Sequence, residues 1–158
     1  MVPHDSRSQH KQENTVAQLI KDVNDDTQIW ALKKVKTIHP IVESTVKNLA
    51  GLEIIKFIRI TGNSIQASSE LSGNKLKVPA TKPFHPTAAG VHLIYDFEFK
   101  TMEFYELNSP AKGWGEKMVN ASLQSLPKDW EVALVFDWSN GFWDKMEQKY
   151  NHVRWLRI

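Results

Sequence analysis

The chain has 158 residues, of which 41% are hydrophobic and 24% are charged, with no cysteine and a formal net charge of +2 at pH 7. These values predict one globular domain with a full core, and they exclude a disordered chain, a disulfide framework and a cysteine nucleophile. The small net charge does not indicate nucleic-acid binding, and the sequence contains neither a signal-like start nor an apolar run of membrane-spanning length, so we expect a cytoplasmic protein.

The first part of the chain predicts a flexible tail followed by helices. Residues 1–13 are polar and predict the tail, ahead of a single domain over residues 14–158. Apolar residues at helical spacing predict a helix over residues 15–23 and a second helix over residues 27–39, which ends before Pro40. A third helix is predicted over residues 41–50, with Gly51 after its end.

The middle of the chain predicts strands. β-branched residues favour a strand over residues 52–60, and residues 65–71 follow a turn as its hairpin partner. Residues 72–90 contain three prolines and two glycines and predict a long loop that could act as a lid. Period-two alternation predicts a strand over residues 91–99, followed by a tight turn and a strand over residues 102–107.

The last third of the chain predicts alternating helices and strands. In chain order these are a helix over residues 116–126, a buried strand over residues 130–136, a helix over residues 141–150 capped by Ser139 or Asn140, and a strand over residues 152–158. Helices, a meander of strands and a β-α-β-α-β tail together predict an α/β fold with a mixed sheet and helices on both faces.

The loop between strand 102–107 and helix 116–126 is the most informative segment. Gly113 and Gly115 lie where the helix begins, so free amide groups and the positive end of the helix dipole meet there, and glycine allows close approach of an anion. A pyrophosphate suits such a site. The alternative is that both glycines serve only to form the turn.

Two segments resemble the GNAT acetyltransferase superfamily. Residues 110–118, Pro-Ala-Lys-Gly-Trp-Gly-Glu-Lys-Met, are similar to the family's Gln/Arg-x-x-Gly-x-Gly/Ala loop after its fourth strand. Residues 139–146, Ser-Asn-Gly-Phe-Trp-Asp-Lys-Met, are similar to its Asn-x-x-(x)-Phe-Tyr-Glu-Lys-Leu helix. The order of predicted elements matches the family from Leu52 to the C-terminus.

The resemblance implies a divergent GNAT-like N-acetyltransferase that uses acetyl-CoA as acyl donor and a small-molecule or peptide amine as acceptor. Backbone amides of the glycine loop would hold the pyrophosphate, the edge of the preceding strand would pair with pantetheine, and the last helix would face the cofactor. The cofactor-binding residues implied are Tyr105, Leu107, Lys112, Gly113, Trp114, Gly115, Asn140 and Trp143.

Transfer to an amine requires a base and often an acid. Glu103 and Glu106 are the candidate bases, with His92 and Asp137 as substitutes, and Tyr105 is the candidate acid. The alternative is that Glu103 and Glu106 lie on opposite faces of the strand or flank its end, so that at least one is solvated and idle, and that Tyr105 belongs to the core.

A second hypothesis is a GNAT-like module that binds a ligand, peptide or partner protein without catalysis. Pro110 occupies the family's Gln/Arg position and has no N–H, and Trp143 occupies the position of its frequent general-acid tyrosine. The six histidines lack metal-ligand spacing, so no metal is predicted. No membrane or nucleic-acid partner is predicted, and a homodimer stays open.

Overall fold

The computed structural model describes residues 26–73, 77–135, 137 and 139–158. In chain order the elements are β1 (Gln28–Ala31), α1 (Pro40–Ala50), β2 (Phe57–Ile60), β3 (Ser64–Ser68), β4 (Gly90–Asp96), β5 (Thr101–Asn108), α2 (Trp114–Leu123), β6 (Glu131–Leu134), α3 (Phe142–Lys149) and β7 (Arg154–Arg157). The predicted tail over residues 1–13 and the predicted helix over residues 15–23 lie outside the described residues.

The strands form one seven-stranded sheet in which the spatial order equals the chain order. Strands β2 to β5 form an antiparallel meander, in which each strand pairs with the next one. The outer pairs β1–β2, β5–β6 and β6–β7 are parallel, and a helix makes each of these connections, as parallel pairing requires. The predicted α/β class with a mixed sheet is therefore confirmed.

One face of the sheet carries the core. Ile60, Ile65, Leu93 and Phe104 lie in one cross-strand row, since Ile60 pairs with Ile65, Ile65 with Leu93 and Leu93 with Phe104. All are buried in a single hydrophobic cluster that also includes residues of α1, α2 and α3, namely Val46, Leu49, Met118, Val119, Trp143 and Met146. The sequence predicted helices on both faces, whereas the described helices all lie on this one.

The opposite face is more polar. Arg59 pairs with Gln66, and Gln66 pairs with His92. All three residues are only partly buried. Side chains of this kind can face water or a ligand, so this part of the sheet needs no apolar helix over it.

The prediction of a helix over residues 27–39 is wrong. This segment begins with β1, whose parallel pairing with β2 continues through a 3.1 Å hydrogen bond from the Leu32 amide to the Ile60 carbonyl. A turn follows, in which the Val35 amide donates to the Leu32 carbonyl at 2.9 Å. Ile29, Leu32 and Val35 have helical spacing in the sequence, but Ile29 lies in the strand and the other two follow it at the turn. Pairing with β2 thus outweighs the helical pattern.

Several element boundaries differ from the prediction. Strand β2 starts only at Phe57, because the segment before it turns through hydrogen bonds from Leu52 to Leu49 and from Ile55 to Leu52. Helix α2 already begins at Trp114, and the N-cap of α3 is Gly141 instead of Ser139 or Asn140. Among the described residues, no helix has the length and apolarity needed to cross a bilayer.

Candidate functional site

A cleft of about 440 Å³ opens at the carboxyl end of β5. The cleft forms because β6 is shorter than β5. Strand β6 pairs with β5 only from Thr101 to Phe104 and ends at Leu134. Strand β5 continues to Asn108, so beyond Phe104 its edge towards β6 has no strand partner in the described part of the chain. An unpaired strand edge offers backbone donors and acceptors to an extended ligand.

A β-bulge lies in this same part of β5. Leu93 of β4 pairs with Phe104, and the preceding residue His92 pairs with Glu106, so Tyr105 is the extra residue. The Tyr105 ring meets the His92 ring edge-on, with 5.1 Å between centroids, and is 43% exposed. The bulge therefore directs Tyr105 and Glu106 towards the polar face of the sheet, and both residues line the cleft.

The N-terminus of α2 forms the other end of the cleft. Gly113 is the N-cap, with a φ of 90°, and it provides no side-chain cap for the first-turn amides. A Cβ at Gly113 would meet nothing within 4 Å. Glycine is thus required by the backbone angle, and its open side leaves room for a ligand near the helix amides. Lys112 is exposed and also lines the cleft.

Gly115 also lines the cleft, and its lack of a side chain serves the packing of two helices. It is buried, and a Cβ there would lie 3.1 Å from Phe142 Cε1 and 3.4 Å from Ser109 Cβ. The missing side chain therefore allows α2 to approach Phe142 of α3 closely. Phe142 also lines the cleft, so this packing shapes the cleft wall.

Of the other predicted cofactor-binding residues, two line the cleft and two do not. Leu107 and Trp143 line the cleft, and the buried Trp143 packs on Phe104 with 4.9 Å between ring centroids. Trp114 is half-buried against the core, and Asn140 is exposed, with a φ of 51°. Neither belongs to the cleft lining.

The structure separates the two candidate bases. Glu106 lines the cleft. Glu103 pairs with Ile94 on one side and Ala133 on the other, in a separate depression on the polar face. Burial raises the pKa of Glu103 above its ordinary value. Glu106 alone of the two carboxylates is thus placed to meet a ligand in the cleft.

Glu106 belongs to a small polar cluster. Thr81 Oγ1 donates a 2.8 Å hydrogen bond to Glu106 Oε1, and His92 Nδ1 lies 3.7 Å from the same oxygen. Burial lowers the pKa of His92, an effect that the Glu106 carboxylate opposes and that Arg59 reinforces. The imidazole is therefore neutral at pH 7, and Glu106 has an uncharged neighbour.

The substitute base Asp137 lies outside the cleft lining. Burial acts to raise its pKa, but hydrogen bonds from Ser139 and Arg157 outweigh that effect and leave the pKa below its ordinary value. The Arg157 Nη1 atom lies 3.0 Å from Asp137 Oδ2. A carboxylate engaged in this way is a structural partner of Arg157 more than a proton acceptor.

The loop between β3 and β4 forms a wall of the cleft, which sequence analysis did not predict. Pro83 and Phe84 of this loop line the cleft. Asn108 Oδ1 accepts a 2.9 Å hydrogen bond from the Phe84 amide, and Asn108 Nδ2 donates to the carbonyls of His85 and Ala88. These hydrogen bonds attach the loop to β5, so that it forms a wall along the cleft.

The close approach of this loop to the sheet also explains Gly90. A Cβ at Gly90 would lie 2.3 Å from the Ala80 carbonyl oxygen. In the sequence, the prolines of this loop indicate a restricted backbone, and this is the signal that could have predicted a fixed wall.

Comparisons with known proteins give no family: neither a family model, nor a curated protein, nor a solved structure matches this chain. In the described part of the chain, no group of three or more His, Asp or Glu side chains could hold a metal ion.

Proposed function

We propose that this protein is an N-acetyltransferase that uses acetyl-CoA as acyl donor and transfers the acetyl group to an amine. The observation that carries the proposal is that one cleft joins the free edge of β5 to the N-terminus of α2. A strand edge suits an extended chain containing amide groups, such as pantetheine, and helix amides suit the pyrophosphate attached to it.

The residues of the cleft fit such a cofactor. At the phosphate end, the Lys112 ammonium group and the first-turn amides of α2 supply positive charge and donors. The acidic residue of that turn, Glu116, forms an ion pair with Lys149 and is not part of the cleft lining. Along β5, Leu107 and Pro83 add apolar surface. Pro110 also lines the cleft and contributes no amide donor.

Acetyl-CoA supplies an acyl group activated as a thioester. Glu106 would accept the proton that the amine loses, because it lies in the cleft and the neutral His92 leaves its charge uncompensated. Thr81 fixes the orientation of the carboxylate through its hydrogen bond to Oε1. Tyr105 precedes Glu106 in β5 and also lines the cleft. Its phenol would be the candidate proton donor to the CoA thiolate that leaves when the amide bond forms, since the Trp143 indole is packed in the core.

Binding of the cofactor can be tested by thermal unfolding. At a hundredfold excess over its dissociation constant, acetyl-CoA should raise the melting temperature by roughly 5–10 °C. The variant Gly113→Glu should lose this shift, because a carboxylate would occupy the phosphate end. Gly73→Glu is the matched control, since Gly73 also has a positive φ and open space around its Cβ position but lies outside the cleft lining. The absence of any shift at millimolar acetyl-CoA would contradict the proposal.

The role of Glu106 can be tested by turnover of a panel of amines. Glu106→Gln should lower kcat by about 10²- to 10⁴-fold while the thermal shift with acetyl-CoA persists. Glu103→Gln is the control on the same strand and should leave turnover unchanged. Equal activity of both variants would remove Glu106 as the base.

The second candidate function is a CoA-binding module without catalysis. It is favoured by the position of Trp143, whose indole is buried against Phe104, Phe142 and Trp155. Binding of acetyl-CoA with no release of free thiol for any amine in the panel would support this alternative.

A further inference from the structure

Strand β7 lies at one end of the sheet, and its outer edge has no partner among the described strands. On its inner edge the Ile158 amide donates a 3.0 Å hydrogen bond to the Leu134 carbonyl of β6. The backbone groups of successive residues in a strand point to opposite edges, so those of Leu156 also point to β6, whereas those of Trp155 and Arg157 point outwards. Strand β7 therefore offers amide and carbonyl groups of two residues to another strand.

This edge also exposes apolar side chains. Leu156 is 44% exposed and Ile158 is 77% exposed. Leu156 is paired with the buried Ala133 of β6, and both isoleucine and leucine of β7 line a depression on the polar face together with Ala133 and Ile94. The apolar surface of β7 thus continues across neighbouring strands, as the surfaces that bind other proteins do.

The charged residues of β7 leave this edge open to pairing. Natural edge strands often carry uncompensated charges that prevent pairing with another chain. The guanidinium group of Arg157 instead forms ion pairs with the carboxylates of Asp137, Asp144 and Glu147. Its charge is therefore compensated within the chain, and Arg154 is the other charged residue of the strand.

A second copy of β7 fits this edge in an antiparallel register with two-fold symmetry about Leu156. In this register Leu156 lies opposite the partner's Leu156, Trp155 opposite the partner's Arg157, and Arg154 opposite the partner's Ile158. The residues with outward-pointing backbone groups face each other, so that each pair of Trp155 and Arg157 exchanges both of its hydrogen bonds. No two arginines are opposite each other, and the exposed leucines pack together at the axis.

The neighbouring registers fit less well. Symmetry about Arg157 would place two arginines directly opposite each other, which is destabilising. Symmetry about Trp155 would require the amide of Val153, which already donates a 3.0 Å hydrogen bond to the Tyr150 carbonyl. The backbone and the charges thus favour the register centred on Leu156.

We propose that the protein forms a two-fold symmetric dimer in which β7 pairs antiparallel with β7 of a second copy, with Leu156 at the symmetry axis. The paired segment is short, so the interface is small and we expect a dissociation constant in the micromolar range or weaker. The inference does not depend on the proposed function, because no residue of β7 lines the cleft at the end of β5.

Single cysteines can test the register, because the chain contains no cysteine of its own. Opposite residues without mutual hydrogen bonds have Cα atoms about 4.5 Å apart, within the range that a disulfide bridges. Leu156→Cys should therefore form a disulfide-linked dimer under mild oxidation. Arg154→Cys is the matched control on the same face of the strand. Its two copies would lie about 14 Å apart in the dimer, and they should not cross-link.

Sedimentation velocity tests the association itself. The unsubstituted protein should shift from monomer to dimer as its concentration rises to the millimolar range. Leu156→Lys places two like charges at the axis and should weaken the association by roughly tenfold or more. Phe99→Lys is the control, since it adds the same charge at an exposed side chain in the turn after β4, and it should dimerise as the unsubstituted protein does.

Three results would overturn the proposal. A monomer at millimolar concentration would mean that another segment of the chain or a different protein covers this edge. Equal cross-linking of the two cysteine variants would exclude the register centred on Leu156. A dimer that persists unchanged in Leu156→Lys would have its interface elsewhere.

Discussion

Asn108 Nδ2 donates a 2.7 Å hydrogen bond to the carbonyl oxygen of Ala88, twenty residues earlier in the chain. The side chain of Asn108 is 9% exposed, and its remaining hydrogen bonds go to the backbone of Phe84 and His85. One buried amide thus holds a wall of the cleft against the end of β5.

Replacing Asn108 should therefore destabilise the protein and loosen this wall. Asn108→Ala leaves buried carbonyl groups without a donor, and we expect a loss of about 1–3 kcal/mol in the free energy of unfolding by urea. Asn108→Asp keeps the shape and the acceptor for Phe84, but it removes both donated hydrogen bonds and should also be destabilising. Full stability of both variants would show that the wall does not depend on this amide.

The contact between Gly115 and Phe142 gives a second prediction. Alanine usually stabilises a helix relative to glycine by roughly 0.5–1 kcal/mol. Here Gly115→Ala should instead destabilise the protein by about 1–3 kcal/mol, because its Cβ would crowd the Phe142 ring. In a double-mutant cycle, Phe142→Leu should remove most of this cost. A stabilising Gly115→Ala would mean that α2 and α3 can separate freely.

Glu103 should give a pH-dependent effect. Burial raises its pKa above the ordinary value of 4.5, so the folded protein binds a proton more tightly than the unfolded chain, and this group reduces stability as pH rises above that value. Glu103→Gln should therefore be more stable than the unsubstituted protein at pH 7, and the difference should vanish below about pH 4.

Asp129 provides a comparison of opposite sign for this experiment. The hydrogen bond from Lys100 lowers the pKa of Asp129, so Asp129→Asn should lose stability at pH 7, with the difference again vanishing in acid. Both differences can be measured by thermal unfolding across the pH range. A Glu103→Gln variant that is less stable than the unsubstituted protein at pH 7 would contradict the burial of Glu103.

His92 should make the protein sensitive to mild acid. Its pKa is lowered from the ordinary value of 6.5, chiefly by burial, so the unfolded chain binds a proton more readily than the folded protein. The free energy of unfolding is therefore unaffected by this group well above pH 6.5 and decreases as pH falls below that value. His92→Gln should therefore flatten the pH dependence of stability between about pH 7 and pH 5.

The same histidine can be followed by NMR titration. The Glu106 carboxylate acts to raise the pKa of His92, so Glu106→Gln should shift the titration of the His92 ring to still lower pH. A titration at or above 6.5 in the unsubstituted protein would contradict the burial of the ring.

The spacing of apolar residues correctly predicted those helices and strands that bury one face in the core. The helix over residues 41–50 and the strands over residues 91–99 and 102–107 correspond to α1, β4 and β5, because their apolar spacing directly reflects the core. The alternation fails only at its end, where Phe99 is exposed in the turn after β4.

Elements defined by distant partners could not be predicted in this way. Strand β1 exists because β2 pairs with it, and the wall at Phe84 exists because Asn108 binds it. For the glycine loop, the sequence indicated the turn and the start of the helix. It could not assign Gly115 to packing, because the neighbour Phe142 is distant in the chain.

Tyr105 can be removed from the sheet register without disturbing any other pair of β5. On either side of it, Phe104 pairs with Leu93 and Glu106 with His92, which are consecutive residues of β4. A chain lacking Tyr105 would thus form an ordinary hairpin with the same partners. One additional residue in an otherwise regular strand is therefore enough to create this bulge, while the pairs on either side of it keep their partners.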